Sequence, residues 1–195
     1  MIKKIINPKT DLYKSFKSCV LGSDFSWYWL PESTFSYYKK GYDNISHFSH
    51  SFLTRSPYQD IFYTRANSVH IDFAHDVFLE ICKANNIEPV VIYRMNANLV
   101  LPTESMKYSV PHTDHKYPHK NMLVYLTDPN GGDTACEGEN FLASEDDVII
   151  MEGVHCHRPP IKDRRIVLVY TFLDCELRDR CFSGLELLNK NNGGV

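Results

Sequence analysis

The sequence predicts a mainly β protein, an antiparallel sandwich or barrel with flanking helix, on three observations. Runs of β-branched and aromatic residues recur at short intervals after position 85, each closed by Pro, Gly, Asn or Asp. Aromatic residues make up 13% of the chain, with 12 Tyr and 11 Phe, which suits pleated sheets and a deep pocket better than a bare helical bundle. Clear helical periodicity occurs once, ahead of the strands.

That helix is signalled by Val69, Phe73, Val77, Phe78 and Ile81 at three- and four-residue steps, with Asn67 or Ser68 as its N-cap and an apolar stripe to lay on one sheet. Strands are expected over residues 90–101, 106–112, 122–127, 148–155 and 165–173. Short strands separated by turns, rather than alternating with helices, argue for antiparallel pairing. Asp128-Pro-Asn-Gly-Gly-Asp133 should end the third of them, since Pro fixes φ and glycine supplies positive φ. Between residues 11 and 63 the aromatic clusters Ser26-Trp-Tyr-Trp-Leu30 and Phe48-Ser-His-Ser-Phe52 read as candidate added strands, although their periodicity is poor. With 195 residues the chain suits one domain, 1–195, ending in a mobile tail over 185–195 whose last residues are Asn191-Asn-Gly-Gly-Val195.

Charge and cysteine content bear on several classes. The formal net charge is -3 and no dense basic run follows the first few residues, so nucleic acid is not indicated as a partner. No stretch approaches the roughly 18 apolar residues of a membrane span, and the basic opening lacks an apolar signal region. Six cysteines without a C-x-x-C pair are too few for a disulfide scaffold of this length; reduced thiols and a cytoplasmic location are the expectation.

The chemistry centres on His112-Thr-Asp114, at the end of an expected strand. Residues i and i+2 of a strand share a face, so an imidazole and a carboxylate can converge on one ion. A second imidazole must come from a distant strand, and the stretch Met151-Glu-Gly-Val-His-Cys-His157 offers His155 and His157 on one face. Two His and one carboxylate, with the remaining positions open, form the facial triad of non-haem iron(II) oxygenases. The H-x-D pair alone is a weak motif; its weight comes from Arg164 and Arg165, nine and ten positions after His155, entering the strand Ile166-Val-Leu-Val-Tyr-Thr-Phe172.

In that order the residues resemble the 2-oxoglutarate/iron(II) dioxygenase superfamily over residues 90–173. The resemblance implies a double-stranded β-helix, a cupin-like jelly roll of eight core strands in two sheets. It implies His112, Asp114 and His155 as metal ligands, the family spacing favouring His155 over His157. It also implies Arg165 as the clamp on the distal carboxylate of 2-oxoglutarate, with Tyr125, in Leu123-Val-Tyr-Leu-Thr127, matching the strand of prolyl-hydroxylase-like members. Phe48–Phe52, Tyr93-Arg-Met-Asn-Ala-Asn-Leu99 and Gly131-Gly-Asp-Thr134 are similar to small oxygenases common in phage and marine bacterial sequences. The implied cofactors are Fe(2+), 2-oxoglutarate and dioxygen, with ascorbate as reductant in vitro. The implied reaction is hydroxylation of an unknown substrate, a peptide or amino acid favoured, with release of succinate and CO2.

The alternative is a cupin-like metal-dependent isomerase, or a metal- or ligand-binding module without turnover. Other residues carry blander expectations. His115 and His119 should face solvent. His50 and Arg94 are divided between the pocket mouth and structural roles, and Trp27, Tyr28 and Trp29 are expected to pack between sheets rather than form a substrate lid. Cys136, Cys156, His155 and His157 fit no structural zinc spacing.

Overall fold

The computed structural model describes residues 1–32, 40–55 and 64–192, with side chains to residue 183. In chain order the elements are β1 (Ile2–Ile5), α1 (Asp11–Leu21), β2 (Tyr28–Leu30), β3 (His47–Arg55), β4 (Thr64–Ala66), α2 (Ile71–Ala84) and β5 (Pro89–Val100). They continue with β6 (Lys120–Tyr125), β7 (Thr134–Cys136), β8 (Glu139–Phe141), β9 (Val148–Met151), β10 (His155–His157), β11 (Arg165–Asp174) and α3 (Cys175–Asn192). Eight strands form one antiparallel sheet in the order β1-β9-β6-β11-β5-β3-β2, with β4 added to β3, and β10-β7-β8 form a second.

Strand alternation sorts the core into two layers. On β6, Met122 and Val124 join the cluster beneath the helices, whereas Leu123 and Tyr125 join the cluster between the sheets. On β11, Ile166, Leu168, Tyr170 and Phe172 take the helix side and Val167 and Val169 the inner side. The period of two is the physical cause, since successive Cβ atoms leave opposite faces. Helix α2 buries Ala74, Val77, Phe78, Ile81 and Cys82, and Phe78 lies 5.1 Å from the rings of both Tyr170 and Phe172. Its stripe packs on one sheet, as the periodicity predicts.

Several boundaries differ from expectation. Helix α2 starts at Ile71 because the Ser68 hydroxyl is used by the His70 amide and by His50, and Val69 is 93% exposed, off the stripe. The aromatic-rich N-terminal region contains α1, which the sequence reading missed. Thr10 caps it by accepting from the Tyr13 amide, and Tyr13, Phe16 and Val20 bury its inner face. Residues 106–112 form no regular strand. They run as extended backbone bridged to Asp43 at Ser109 and to His155 at His112. The expected strand over 148–155 is two strands in different sheets. Gly153 turns the corner between them at φ 95°, where a Cβ would lie 2.5 Å from Glu137 Oε1. Tyr28 and Trp29 are not packed between sheets but lie on the edge strand β2, 62% and 55% exposed. The tail expected from residue 185 onward is helical backbone as far as Asn192, and 193–195 lie outside the described residues. No helix among the described residues is long and apolar enough to cross a membrane.

Candidate metal centre and cavity

The candidate site forms where the two sheets face each other beyond the apolar filling of Leu123, Val167 and Val169. A cavity of about 770 Å³ opens there, within the usual range for small-molecule sites. His112, Asp114, His155, His157 and Arg165 all line it. The backbone sets two of them face to face. His112 and His155 exchange both amide hydrogen bonds, at 2.9 and 3.0 Å, so residues 43 apart in sequence sit directly opposite. Their rings are 4.6 Å apart, and one nitrogen from each of His112, His155 and His157 lies within 4.8 Å of the others.

Asp114 lies beside this group, against His155. Its Oδ2 is 3.5 Å from His155 Nε2, while Oδ1 is 3.0 Å from Arg94 Nη1 and 3.7 Å from Arg55 Nη1. Burial alone would push this carboxyl up, but Arg94, the two histidines and Arg55 together hold it well below the usual carboxylate range. It is therefore ionised and available as a ligand. His112 Nδ1 lies 2.9 Å from the Val110 carbonyl and His155 Nδ1 3.2 Å from the Gly153 carbonyl. A carbonyl only accepts, so each Nδ1 carries a proton and Nε2 is the nitrogen each ring can turn toward a metal. Burial pushes His155 down to about 4, which keeps it a neutral donor, and pushes His157 down as well. The three imidazoles, with the ionised Asp114 carboxylate 3.5 Å from His155 Nε2, offer nitrogen and oxygen donors of the kind that bind a divalent ion.

His157 shares the face of His155, as strand alternation predicts, but its Nδ1 is 3.0 Å from Thr134 Oγ1. That hydroxyl also lies 2.8 Å from the Tyr125 hydroxyl, so Tyr125, Thr134 and His157 form a chain of hydrogen bonds. Tyr125 is buried and off the cavity wall. Arg165 is buried and on the wall, and Arg164 is exposed. The Arg165 Nη1 donates to the carbonyls of Gly132 (3.3 Å) and Arg158 (3.1 Å), while its Nε has no partner among the described residues. The turn at Asn130 and Gly131, with φ 47° and 85°, brings the Gly132 carbonyl to that guanidinium.

His115 and His119 are not solvent-facing. Both are buried behind Asp114, and His115 Nε2 lies 2.7 Å from Thr171 Oγ1. His50 is a satisfied core histidine held by the Ser26 carbonyl (2.7 Å) and Ser68 hydroxyl (2.8 Å). Arg94 lies on the cavity wall. Sequence reasoning missed the rest of that wall: Ser49 and Ser51 on β3, Asn96 and Asn98 on β5, and Arg55 and Arg65 nearer the mouth. The signal was present, because Arg94, Asn96 and Asn98 alternate with Met95, Ala97 and Leu99, which are core.

No protein-family model and no curated protein matches this sequence. Solved structures do. A 2OG-Fe(II) oxygenase family oxidoreductase from Burkholderia pseudomallei superposes with TM-score 0.51 over 73% of each chain at 17% identity. A Pseudomonas putida prolyl-4-hydroxylase gives 0.51 over 88% of this chain and 91% of its own at 12% identity. The non-haem α-ketoglutarate-dependent epimerase SnoN from nogalamycin biosynthesis gives 0.52 over 89% and 77% at 10% identity. At these identities the likeness establishes architecture, and the chain has the jelly-roll fold of the 2-oxoglutarate/iron(II) oxygenases.

Proposed function

We propose that this chain is an enzyme, a non-haem iron(II), 2-oxoglutarate-dependent dioxygenase that hydroxylates its substrate and releases succinate and CO2. The observation that carries the reading is the convergence of His112, Asp114 and His155 in one cavity that also receives the Arg165 guanidinium. In this reading His112 Nε2, His155 Nε2 and one Asp114 oxygen hold the iron. The iron, when bound, supplies the oxidising chemistry with dioxygen and 2-oxoglutarate.

The protein's own share is positioning. The paired backbones of His112 and His155 fix both rings, and the Val110 and Gly153 carbonyls fix their tautomers. Arg94 holds Asp114 Oδ1, which leaves Oδ2 facing His155. Arg165 offers a cation and a free Nε–H to the distal carboxylate of 2-oxoglutarate. Tyr125 joins that clamp only if its hydroxyl leaves Thr134. His157, tied to Thr134, stands beside the triad rather than in it. A peptide or amino-acid substrate is favoured by the resemblance to prolyl-hydroxylase-like members.

The test is succinate release from 2-oxoglutarate with iron(II) and ascorbate, alongside calorimetric titration of metal into the protein. Asp114→Ala and His155→Ala should each weaken the metal by more than about 100-fold, beyond the 10- to 100-fold typical of outer-shell changes. His157→Ala should stay within that outer-shell range. Unchanged metal affinity in Asp114→Ala would end the triad assignment, and loss in His157→Ala with retention in His155→Ala would move the distal ligand by two residues.

A further inference from the structure

The inner wall of the cavity divides by chemistry. Leu123 and Val169 present an apolar side, whereas β3 and β5 present Ser49, Ser51, Arg94, Asn96 and Asn98. That polar wall is not internally satisfied. Asn98 Oδ1 accepts from Ser49 and Asn96, but Asn96 Oδ1 and Arg94 Nε are buried with no hydrogen-bond partner among the described residues. A buried acceptor and a buried donor left open each carry a desolvation cost that a polar ligand would remove.

Charge points the same way. Among the described residues the cavity is lined by four guanidiniums, Arg55, Arg65, Arg94 and Arg165, against two carboxylates, Glu32 and Asp114. The surplus is concentrated at one place. Arg94 and Arg55 both lean on Asp114 Oδ1, at 3.0 and 3.7 Å, and Arg55 also donates to the Asp114 carbonyl. If Asp114 also ligates a divalent ion, three cationic centres share one carboxylate. A doubly negative 2-oxoglutarate offsets the ion's charge and engages Arg165, which pairs with Val100 at the end of β5, whereas Arg94 sits mid-strand opposite Thr171. The surplus beside Arg55 therefore survives loading. Arg65, exposed on the neighbouring strand β4, extends it to the mouth, and no carboxylate among the described residues pairs with it.

We propose that the primary substrate is a small oxyanion rich in hydrogen-bonding groups, its carboxylate or phosphate docked on Arg55 and Arg65 and its donor groups read by Asn96. This deepens the oxygenase reading and rests on it. An aliphatic or lipid-like substrate would leave both the guanidiniums and Asn96 unanswered.

The experiment compares acid and neutral partners of equal size by ligand-observed NMR saturation transfer on the protein loaded with zinc and 2-oxoglutarate. N-acetylglycine is set against N-acetylglycinamide, and glycerol 3-phosphate against glycerol. At least one acid should bind about tenfold more tightly than its neutral partner, the value of one charge-assisted hydrogen bond, and the stronger pair identifies the head group. Arg55→Gln and Arg65→Glu should each erase most of that preference, and Arg65→Glu, which touches no proposed metal ligand, should leave the 2-oxoglutarate signal intact. Arg65 is exposed, so its variant folds even if Arg55→Gln does not. Equal binding of acid and neutral partners, a preference that survives Arg65→Glu, or an acid that displaces 2-oxoglutarate would each overturn the proposal. Failure of 2-oxoglutarate to bind in a zinc-dependent way would instead remove the oxygenase reading, and the Arg65→Glu comparison on the same samples would still decide the anion site.

Discussion

At the scale of single residues, the site depends on which groups are left with unused hydrogen-bonding capacity. Arg165 spends one nitrogen on two carbonyls, and among the described residues Nε has no partner, so it is held in place without being saturated. A bidentate, charge-assisted contact to 2-oxoglutarate in a partly dry cavity should contribute roughly 2–4 kcal/mol, about 30- to 1,000-fold in apparent cosubstrate affinity. Arg165→Ala should lose that affinity, and Arg165→Lys should fall between, keeping charge but not the fork. Arg164→Ala, on an exposed side chain, should be near wild type. The 2-oxoglutarate dependence of succinate release in the three variants checks this. A large loss in Arg164→Ala instead would mean that the final strand presents the opposite face.

At the scale of elements, two local features decide how the sheets are buttressed. Thr10 accepts from the Tyr13 amide and donates to Glu80 of α2, so one hydroxyl both starts α1 and ties the helices together. Thr10→Ala should lower unfolding stability by about 1 kcal/mol, and Thr10→Ser should restore most of it, as read from urea midpoints. A Thr10→Ala midpoint equal to wild type would show that α1 is held by Phe16 and Val20 alone. Gly153 is the second feature. It lets the chain leave β9 in one sheet and enter β10 in the other, which is what carries His155 across to His112.

For the whole molecule, the shared consequence is pH sensitivity through buried imidazoles. Burial pushes His47 and His155 down to about 4 and His115 to about 3, against about 6.5 in an unfolded chain. The fold therefore binds these protons more weakly than the unfolded chain does. Their contribution is fully present above about pH 6.5 and is lost as pH falls from there toward 4. Urea midpoints of the metal-free protein should drop steadily between pH 7 and 5. A flat profile over that window would mean that these rings are solvated.

The sequence by itself determined the strands that carry the site, because their signals are local. Residues 90–101, 122–127 and 165–173 bury one or both faces and so show the pattern of apolar residues that defines β5, β6 and β11. It also put His155 and His157 on one face and Arg164 and Arg165 on opposite ones, since alternation is a property of a single strand, while the choice of Arg165 as the inward one came from the resemblance. Other features were decided by contacts distant in sequence. Residues 106–112 are extended without a regular ladder because their partners are Asp43 and His155, and His115 is buried where its ring meets Thr171 of β11. The pairing of Arg55 and Arg94 on one carboxylate joins three segments whose approach no local pattern encodes. Tertiary structure alone thus determined the charge of the cavity, because charges accumulate by proximity in space and not by order along the chain.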